Sequence, residues 1–221
     1  MNLCLFQLGD SALPIGGYSQ SWGLEAAVQR GWVRDAAELE VWIRLWLRHI
    51  VGPLEGVIVA GCCEAFRRGD GATLAKANGL LRASLGPPTL RHASREMGEQ
   101  LAALAEGWPW AKDAVALFQQ AKEWHHAPVF GALAGAAGAQ ARDAVMVYLH
   151  QAALGGIGAG IRSVPIGHTH GQQVLARLHG DIHDLAAELA TRDLETAGSF
   201  SPAYEILCHA QCQLYSKLFR S

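Results

Sequence analysis

The sequence predicts an all-α protein, a single helical-bundle domain of about eight to ten helices that spans residues 1–221. Three observations indicate this fold class. Apolar residues recur with the helical period wherever a period is visible, the alternation typical of strands is nowhere sustained, and β-branched residues are few beside many alanines and leucines. Half of the 221 residues are apolar, which is enough for a large buried core.

The first clear helix is predicted between residues 36 and 51. Asp35 is placed to cap its N-terminus, with Glu38 three residues later, as in a capping box. Gly52-Pro53 is expected to end it, because proline removes a helical hydrogen bond. The apolar residues of its stripe follow the spacing i, i+3, i+4, i+7, and they are Leu39, Trp42, Ile43, Trp46, Leu47 and Ile50.

Further apolar stripes predict helices after Pro87-Pro88, after Asp113 and over residues 174–189. Pro128 suits the first position of another helix, where its missing N–H would have no partner in any case. The residues that define the stripes are Leu90, Met97, Leu101, Leu104, Ala114, Leu117, Phe118, Ala121, Val174, Leu178, Ile182, Leu185 and Leu189.

Glycine is abundant for a helical protein, at 25 residues. Gly131, Gly135 and Gly138 lie three or four residues apart, as do Gly156 and Gly160. Each interior glycine lowers helix stability by about 1 kcal/mol relative to alanine. We therefore expect that close packing of helix backbones compensates for this loss. The run 155–160 lacks the Gly-Lys-Ser/Thr ending of a phosphate-binding loop, and no nucleotide or other cofactor is predicted.

The charge balance excludes several classes of partner. Lys and Arg number 18 and Asp and Glu 20. This balance gives no excess of positive charge for binding nucleic acid and no polybasic membrane anchor. The uncharged run 144–161 is interpreted as a buried helix rather than a membrane span. Five scattered cysteines and an N-terminus without a basic segment favour a cytoplasmic protein.

Histidine is the residue type that most suggests a bound ligand. His168 and His170 are close neighbours, and His179 and His183 stand at i, i+4 on one face of a predicted helix. Nickel and zinc both accept imidazole, so these four residues are weak candidate metal ligands. Because the sequence fixes no further ligand nearby, a solvated histidine-bearing face is the favoured interpretation. A metal-binding chaperone remains the alternative.

No set of nucleophile, base and acid is visible, so catalysis is not predicted. A helical small-molecule enzyme with a site among the glycine-rich helices remains a second alternative. The four cysteines in two close pairs, Cys62-Cys63 and Cys208 with Cys212, are interpreted as small buried apolar groups.

One segment points to a known family. Residues 10–25 read DSALPIGGYSQSWGLE, a turn feeding a helix on which Tyr18, Ser21 and Glu25 are expected to be partly exposed. This string closely resembles the N-terminal signature of the UreF family of urease accessory proteins. Similar family segments follow in order at Arg91, at 95–98 (REMG), 126–131 (HAPVFG), 162–167 (RSVPIG), 171–172 (GQ) and in the tail 199–221.

The chain departs from the family pattern at a few positions. Glu205 stands where aspartate is usual, Gln211-Cys212 where a His-Glu pair is usual, and His168 where glutamine is usual. Lys217 stands where arginine is usual, and a lysine cannot donate the bidentate hydrogen bonds of a guanidinium.

The resemblance implies an all-α adaptor, often a homodimer, that is not an enzyme. Members of this family bind the accessory protein UreH (also called UreD) and recruit the GTPase UreG to apo-urease, coupling GTP hydrolysis to nickel insertion. Arg162 is expected to face the GTPase or the dimer mate, with a structural salt bridge as the alternative. The candidate partner-binding residues are Tyr18, Glu25, Arg162, Lys217, Leu218, Phe219 and Arg220.

The resemblance also assigns the C-terminal tail to a partner. Leu218 and Phe219 are large apolar groups near the end of the chain, and burying both is worth on the order of 3–5 kcal/mol. We expect them to be buried against UreH rather than in the chain itself. Removal of residues 217–221 should then leave the stability of the isolated protein nearly unchanged.

Overall fold

A computed structural model describes residues 2–211 and 213–220, and the regular elements in this part of the chain are all helices. The all-α prediction is confirmed, with ten helices when the long helix Ala36–Arg67 is counted as one. They are α1 (Leu3–Leu8), α2 (Leu24–Gln29), α3 (Ala36–Arg67), α4 (Gly71–Ser84), α5 (Pro88–Ala105), α6 (Lys112–Phe118), α7 (His126–Ala136), α8 (Ala141–Ser163), α9 (His168–Leu189) and α10 (Pro202–Gln211).

Helix α3 does not end where the sequence predicted. Asp35 caps it as expected, with its carboxylate accepting the Glu38 N–H, but the helix continues through Gly52-Pro53 as a π-helical segment, Leu47–Gly56. A π turn is wider than an α turn and leaves more room for a proline ring. The Pro53 carbonyl accepts the Gly198 N–H at 3.0 Å. Because the apolar face continues beyond the proline, burial outweighs the missing hydrogen bond.

Helix α7 is the centre of the core. Every residue from His126 to Gly135 is buried, and α3, α5 and α8 pack around it. A Cβ atom on Gly131 would lie 2.6 Å from the Val59 carbonyl oxygen, and one on Gly135 would lie 2.7 Å from the Cys63 carbonyl oxygen. Both distances are too short for a real side chain. The predicted close approach of helix backbones is therefore confirmed between α7 and α3.

Two further glycines illustrate packing and turning. A Cβ on Gly160 would collide with the Leu39 side chain of α3, so this glycine also serves helix packing. Gly138 has nothing within 4 Å and a φ of +74°, a conformation that glycine adopts without strain, and it follows the end of α7. Pro128 is the third residue of α7 rather than the first, still within the turn whose N–H groups lack helical partners.

Two helices are long and apolar enough to cross a membrane by length and composition alone, Ala36–Arg67 and Ala141–Ser163. In the fold, 61% and 50% of their most apolar windows lie inside the molecule. Both helices therefore have the burial of core helices, as the sequence analysis expected for the second.

The two ends of the chain meet on one side of the bundle. Helix α10 packs against α2, which places the C-terminal tail beside the N-terminal turn. Helix α9 lies along α8 and α3 through its predicted stripe, in which Val174, Leu178, Ile182, Leu185 and Leu189 are all buried. The packing of α10 on α2 is what assembles the candidate site.

Candidate functional site

The N-terminal turn presents an aromatic side chain to solvent. Gly16 adopts a φ of +86°, and a short 3-10 helix, Gly17–Ser19, follows it. This arrangement leaves Tyr18 77% exposed, as predicted for that residue. Ser21 and Glu25 were expected to be partly exposed as well, but they are only 2% and 4% exposed, and Glu25 lies on the face of α2 that contacts the tail.

Arg162 joins the N-terminal turn to the C-terminal tail. Its guanidinium carbon lies 3.8 Å from the centroid of the Tyr18 ring and 4.3 Å from the centroid of the Phe219 ring. Its Nε donates to the Gly158 carbonyl at 3.0 Å, which fixes the side chain on the last turns of α8. A guanidinium over an aromatic face is attracted by the ring electrons. Three residues that are far apart in sequence thus form one stack.

No carboxylate among the described residues pairs with the Arg162 guanidinium. The structural ion pair offered as the alternative is therefore not found in this part of the chain, where two aromatic rings and one carbonyl hold the cation.

Glu25 anchors the tail from inside the protein. Its carboxylate accepts the backbone N–H of Leu218 at 2.7 Å and a hydrogen bond from the Gln211 amide. The Gln211 side-chain oxygen accepts the Ala26 N–H at 3.0 Å. Glu25 is therefore a buried anchor for the tail, and the expectation of an exposed partner contact is wrong for this residue.

The tail itself is held at two further points. The Arg220 N–H donates to the Ser19 carbonyl at 2.8 Å, and the Arg220 guanidinium pairs with Glu96 at 3.1 Å. Phe219 is only 3% exposed, whereas Leu218 is 67% exposed. The expectation that both apolar groups lie outside the isolated chain is wrong for Phe219, because the Arg162 stack and the Glu25 anchor give it a place within the chain. Lys217 is exposed.

We call the set Tyr18, Glu25, Arg162, Gln211 and Phe219 the terminal cluster. It brings together four of the seven candidate partner-binding residues, and the other three lie in the same tail. Gln211, which departs from the family pattern, has a structural role here as the amide that links α10 to Glu25. Cys212 and its pairing with Cys208 lie outside the described residues.

A cavity of about 270 Å³ extends from the terminal cluster into the bundle. Tyr18 and Arg162 line it near the N-terminal turn. Its other lining residues are mostly apolar, with polar groups contributed by α3, α7 and α8. These polar groups include Glu55, His126, Tyr148 and Gln151.

We call Glu55, His126 and Tyr148 the cavity cluster. The Tyr148 hydroxyl donates a hydrogen bond to Glu55 and lies 3.4 Å from His126 Nδ1. Burial raises the pKa of the Glu55 carboxyl, and the hydrogen bond from Tyr148 only partly opposes this effect. Burial lowers the pKa of His126 to about 4, so its ring is neutral at pH 7. The His126 Nε2 atom is buried without a hydrogen-bond partner among the described residues.

Sequence reasoning missed the cavity cluster for a specific reason. Glu55 follows Gly52-Pro53, where the helix was expected to end, so its position on a helix face was not considered. His126 was noted as part of the family-like segment 126–131, but it is buried and packs against the rings of Phe130 and Tyr148. The signal in the sequence that could have indicated this cluster was the charged Glu55, which lies between two apolar runs.

The four candidate histidine ligands all lie on α9 and are exposed. His168 and His170 stand at its beginning, and His179 and His183 are one turn apart, as predicted. In residues 2–211 and 213–220, no group of three or more His, Cys, Asp or Glu side chains is arranged to hold a metal ion.

The structure changes how these histidines pair. His183 is already engaged, because one ring nitrogen contacts the Arg142 guanidinium and the other lies 3.1 Å from the Asp184 carboxylate. His179 instead faces His150 of α8, with the ring centroids 6.1 Å apart. Burial and then the nearby His179 lower the pKa of His150.

Cys62 and Cys63 have the buried role that the sequence suggested. Both are fully enclosed in α3, and burial raises the pKa of both thiols, that of Cys63 to about 12. A thiol that stays protonated is a poor nucleophile and a poor metal ligand.

Known proteins match this chain over nearly its full length. A sequence model of the UreF family matches residues 33–179. The urease accessory protein UreF of Cupriavidus taiwanensis is 34% identical over 223 residues, covering 99% of this chain and 97% of that protein. The UreF of Dechloromonas aromatica is 32% identical over 221 residues, with coverage of 98% and 96%.

A fused relative also matches. The bifunctional urease accessory protein UreEF of Bordetella bronchiseptica is 33% identical over 221 residues, which cover 98% of this chain and 51% of that protein. The matches extend over the N-terminal turn, the core helices and the tail, so they include the elements that build the terminal cluster. On the family match and these identities, the chain belongs to the UreF family of urease accessory proteins.

Proposed function

We propose that this chain is a non-enzymatic adaptor in urease maturation, working in the cytoplasm. It binds UreH (UreD) on apo-urease and recruits the GTPase UreG, so that GTP hydrolysis on the GTPase is coupled to nickel insertion. The family membership supports the urease system as the setting. The terminal cluster is the observation that supports the adaptor role most directly.

The terminal cluster has the properties of a recognition surface. Tyr18 is 77% exposed although its ring is fixed by Arg162, so little side-chain freedom is lost when a partner covers it. Tyrosine and arginine are also the residue types that most often dominate binding energy at interfaces. Leu218 adds an exposed apolar group on the same tail, beside the charged Lys217 and Arg220.

Co-purification with the partner proteins tests this role. Tyr18→Ala should weaken recruitment of UreG or UreH by at least about thirtyfold, because a central interface tyrosine commonly contributes about 2 kcal/mol or more. Arg162→Lys keeps the charge but loses the planar group that stacks on both rings, and it should weaken assembly in the same direction.

Phe6→Ala is the matched control. Phe6 is an aromatic residue that is 59% exposed on α1, outside the terminal cluster. It should leave co-purification unchanged. Normal complexes with Tyr18→Ala and Arg162→Lys would remove the terminal cluster from the interface. The homodimer that the family resemblance implies is tested separately, by light scattering of the purified chain.

A further inference from the structure

Two histidines on neighbouring helices face each other outside the terminal cluster. His150 of α8 and His179 of α9 have ring centroids 6.1 Å apart, and their planes are inclined by 36°. A metal ion bound to one nitrogen of each ring lies about 3 Å from each ring centre, so two ligating imidazoles are separated by about 5–6 Å. The observed separation of 6.1 Å lies close to this range, and the exposed His179 side chain has room to turn toward His150.

The ring nitrogens of both histidines are available. Neither ring makes a hydrogen bond or an ion pair with another part of the chain that the structure describes. This distinguishes the pair from His183, whose two nitrogens contact Arg142 and Asp184. An unpaired imidazole on a rigid helix retains a lone pair for a metal ion.

The pair is also accessible and well fixed. His179 is exposed and His150 is half-buried, so an ion can approach from solvent while one ligand is held by its surroundings. Helices α8 and α9 pack along each other over much of their length, which fixes the separation of the two rings. Ligands on rigid elements hold a metal geometry better than ligands on loops.

We propose that His150 and His179 form a binding site for a divalent transition-metal ion of the nickel and zinc class. Two imidazoles occupy two coordination positions and water fills the rest, so binding is reversible. His183 lies one turn from His179 and becomes a third ligand only if it leaves Arg142 and Asp184. The site is separate from the terminal cluster and goes beyond the adaptor role proposed above.

Titration calorimetry with Ni²⁺ alone tests the site on the full chain, with Zn²⁺ alone as a second probe. The unaltered protein should bind about one ion per chain. His150→Gln and His179→Gln should each weaken binding at least about tenfold, since even the loss of a supporting contact to a ligand has that effect. His183→Gln should change the affinity less than either.

The double substitution His168→Gln with His170→Gln is the matched control, because both residues are exposed on the same helix and lie away from His150. It should leave binding unchanged. Binding that survives His150→Gln, or that is lost in the control, would overturn the site, as would no binding to the unaltered chain.

A measurement without substitutions guards against misfolded variants. In the unaltered protein, substoichiometric Ni²⁺ should broaden the ring-proton resonances of His150 and His179 before those of His168 and His170. Uniform broadening of all ten histidines would contradict the proposal. His150→Gln should still co-purify with UreH and UreG, so failure of the metal site and failure of the adaptor role give different results.

Discussion

Glu25 is buried and Glu55 is half-buried, and the surroundings of the two glutamates differ. Glu25 accepts hydrogen bonds from the Leu218 N–H and from the Gln211 amide, both of which come from the C-terminal region. Glu55 accepts a hydrogen bond from Tyr148, with no second donor among the described residues, and it faces a cavity. The first carboxylate ties two distant parts of the chain together, whereas the second belongs to an incompletely paired group in the interior.

The difference shows two uses of a buried polar group. Where several donors satisfy a carboxylate, it specifies one arrangement of the chain, and here it holds the tail against α2. Where few donors are present, burial favours the neutral forms, as the raised pKa of Glu55 and the lowered pKa of His126 indicate. The terminal cluster therefore has a defined shape, whereas burial shifts the pKa values of two members of the cavity cluster.

The largest expected effect concerns the close approach of α5 to the start of α7. A Cβ on Gly98 of α5 would lie 2.5 Å from the His125 carbonyl carbon, which is rigid backbone at the start of α7. Gly98→Ala should therefore lower the free energy of unfolding by about 3 kcal/mol, measured by denaturant titration. Gly79→Ala on α4 is the control, since nothing lies within 4 Å of its Cβ position, and it should raise stability by up to about 1 kcal/mol. Equal effects at the two glycines would contradict the close approach of α5 to α7.

The next effect concerns the terminal cluster. Phe219→Ala removes a ring that is 3% exposed and contacts Arg162, so we expect a loss of about 2–3 kcal/mol of stability in the isolated chain. Leu218→Ala, at a residue 67% exposed, should change stability by less than about 0.5 kcal/mol. Thermal melts of the two variants compare them directly. If Phe219→Ala melts like the unaltered protein, the tail is not part of the isolated fold.

The pH effect is smaller than these at mildly acidic pH. The folded-state pKa of His126 is lowered to about 4 from an ordinary value of 6.5, so its contribution to stability is present above pH 6.5 and is lost as the pH falls toward 4. At pH 5.5 the loss is about 1.4 kcal/mol. Glu55 has a raised pKa and acts in the opposite direction, since its burial opposes folding as the pH rises above its ordinary pKa.

Substitution separates the two contributions. His126→Gln should reduce the fall in stability between pH 6.5 and 5, and His168→Gln, at an exposed residue, should leave it unchanged. The comparison uses the slope of stability against pH rather than its level, so a general destabilisation by the glutamine does not affect it. An unaltered slope in His126→Gln would mean that this ring is not buried in its neutral form.

Much of the fold could be predicted from the sequence because helix stripes are local patterns. The cap at Asp35, the stripe of α9 and the packing role of Gly131 and Gly135 are all confirmed. The end of α3 could not be predicted, because the local preference of Pro53 is overridden by burial of the residues that follow it, and that burial depends on the rest of the fold.

The candidate site was predicted in part. Family resemblance selected Tyr18, Arg162 and Phe219, and the structure brings these three together. Composition and spacing could not indicate that Glu25 is buried, since a glutamate on a short helix is usually exposed. The proximity of His150 and His179 could not be predicted either, because it depends on the register between α8 and α9 rather than on spacing within one helix.

We infer that the N-terminal turn and the C-terminal tail form one surface before any partner binds. Hydrogen exchange at the backbone amides of Leu218 and Arg220 in the isolated protein tests it most directly, since these amides donate to Glu25 and to the Ser19 carbonyl. We predict exchange at least about a hundredfold slower than in an unstructured peptide, which corresponds to an opening free energy near 3 kcal/mol. Exchange of both amides at the rate of an unstructured peptide would contradict this inference. It would mean that the tail becomes ordered only when a partner binds.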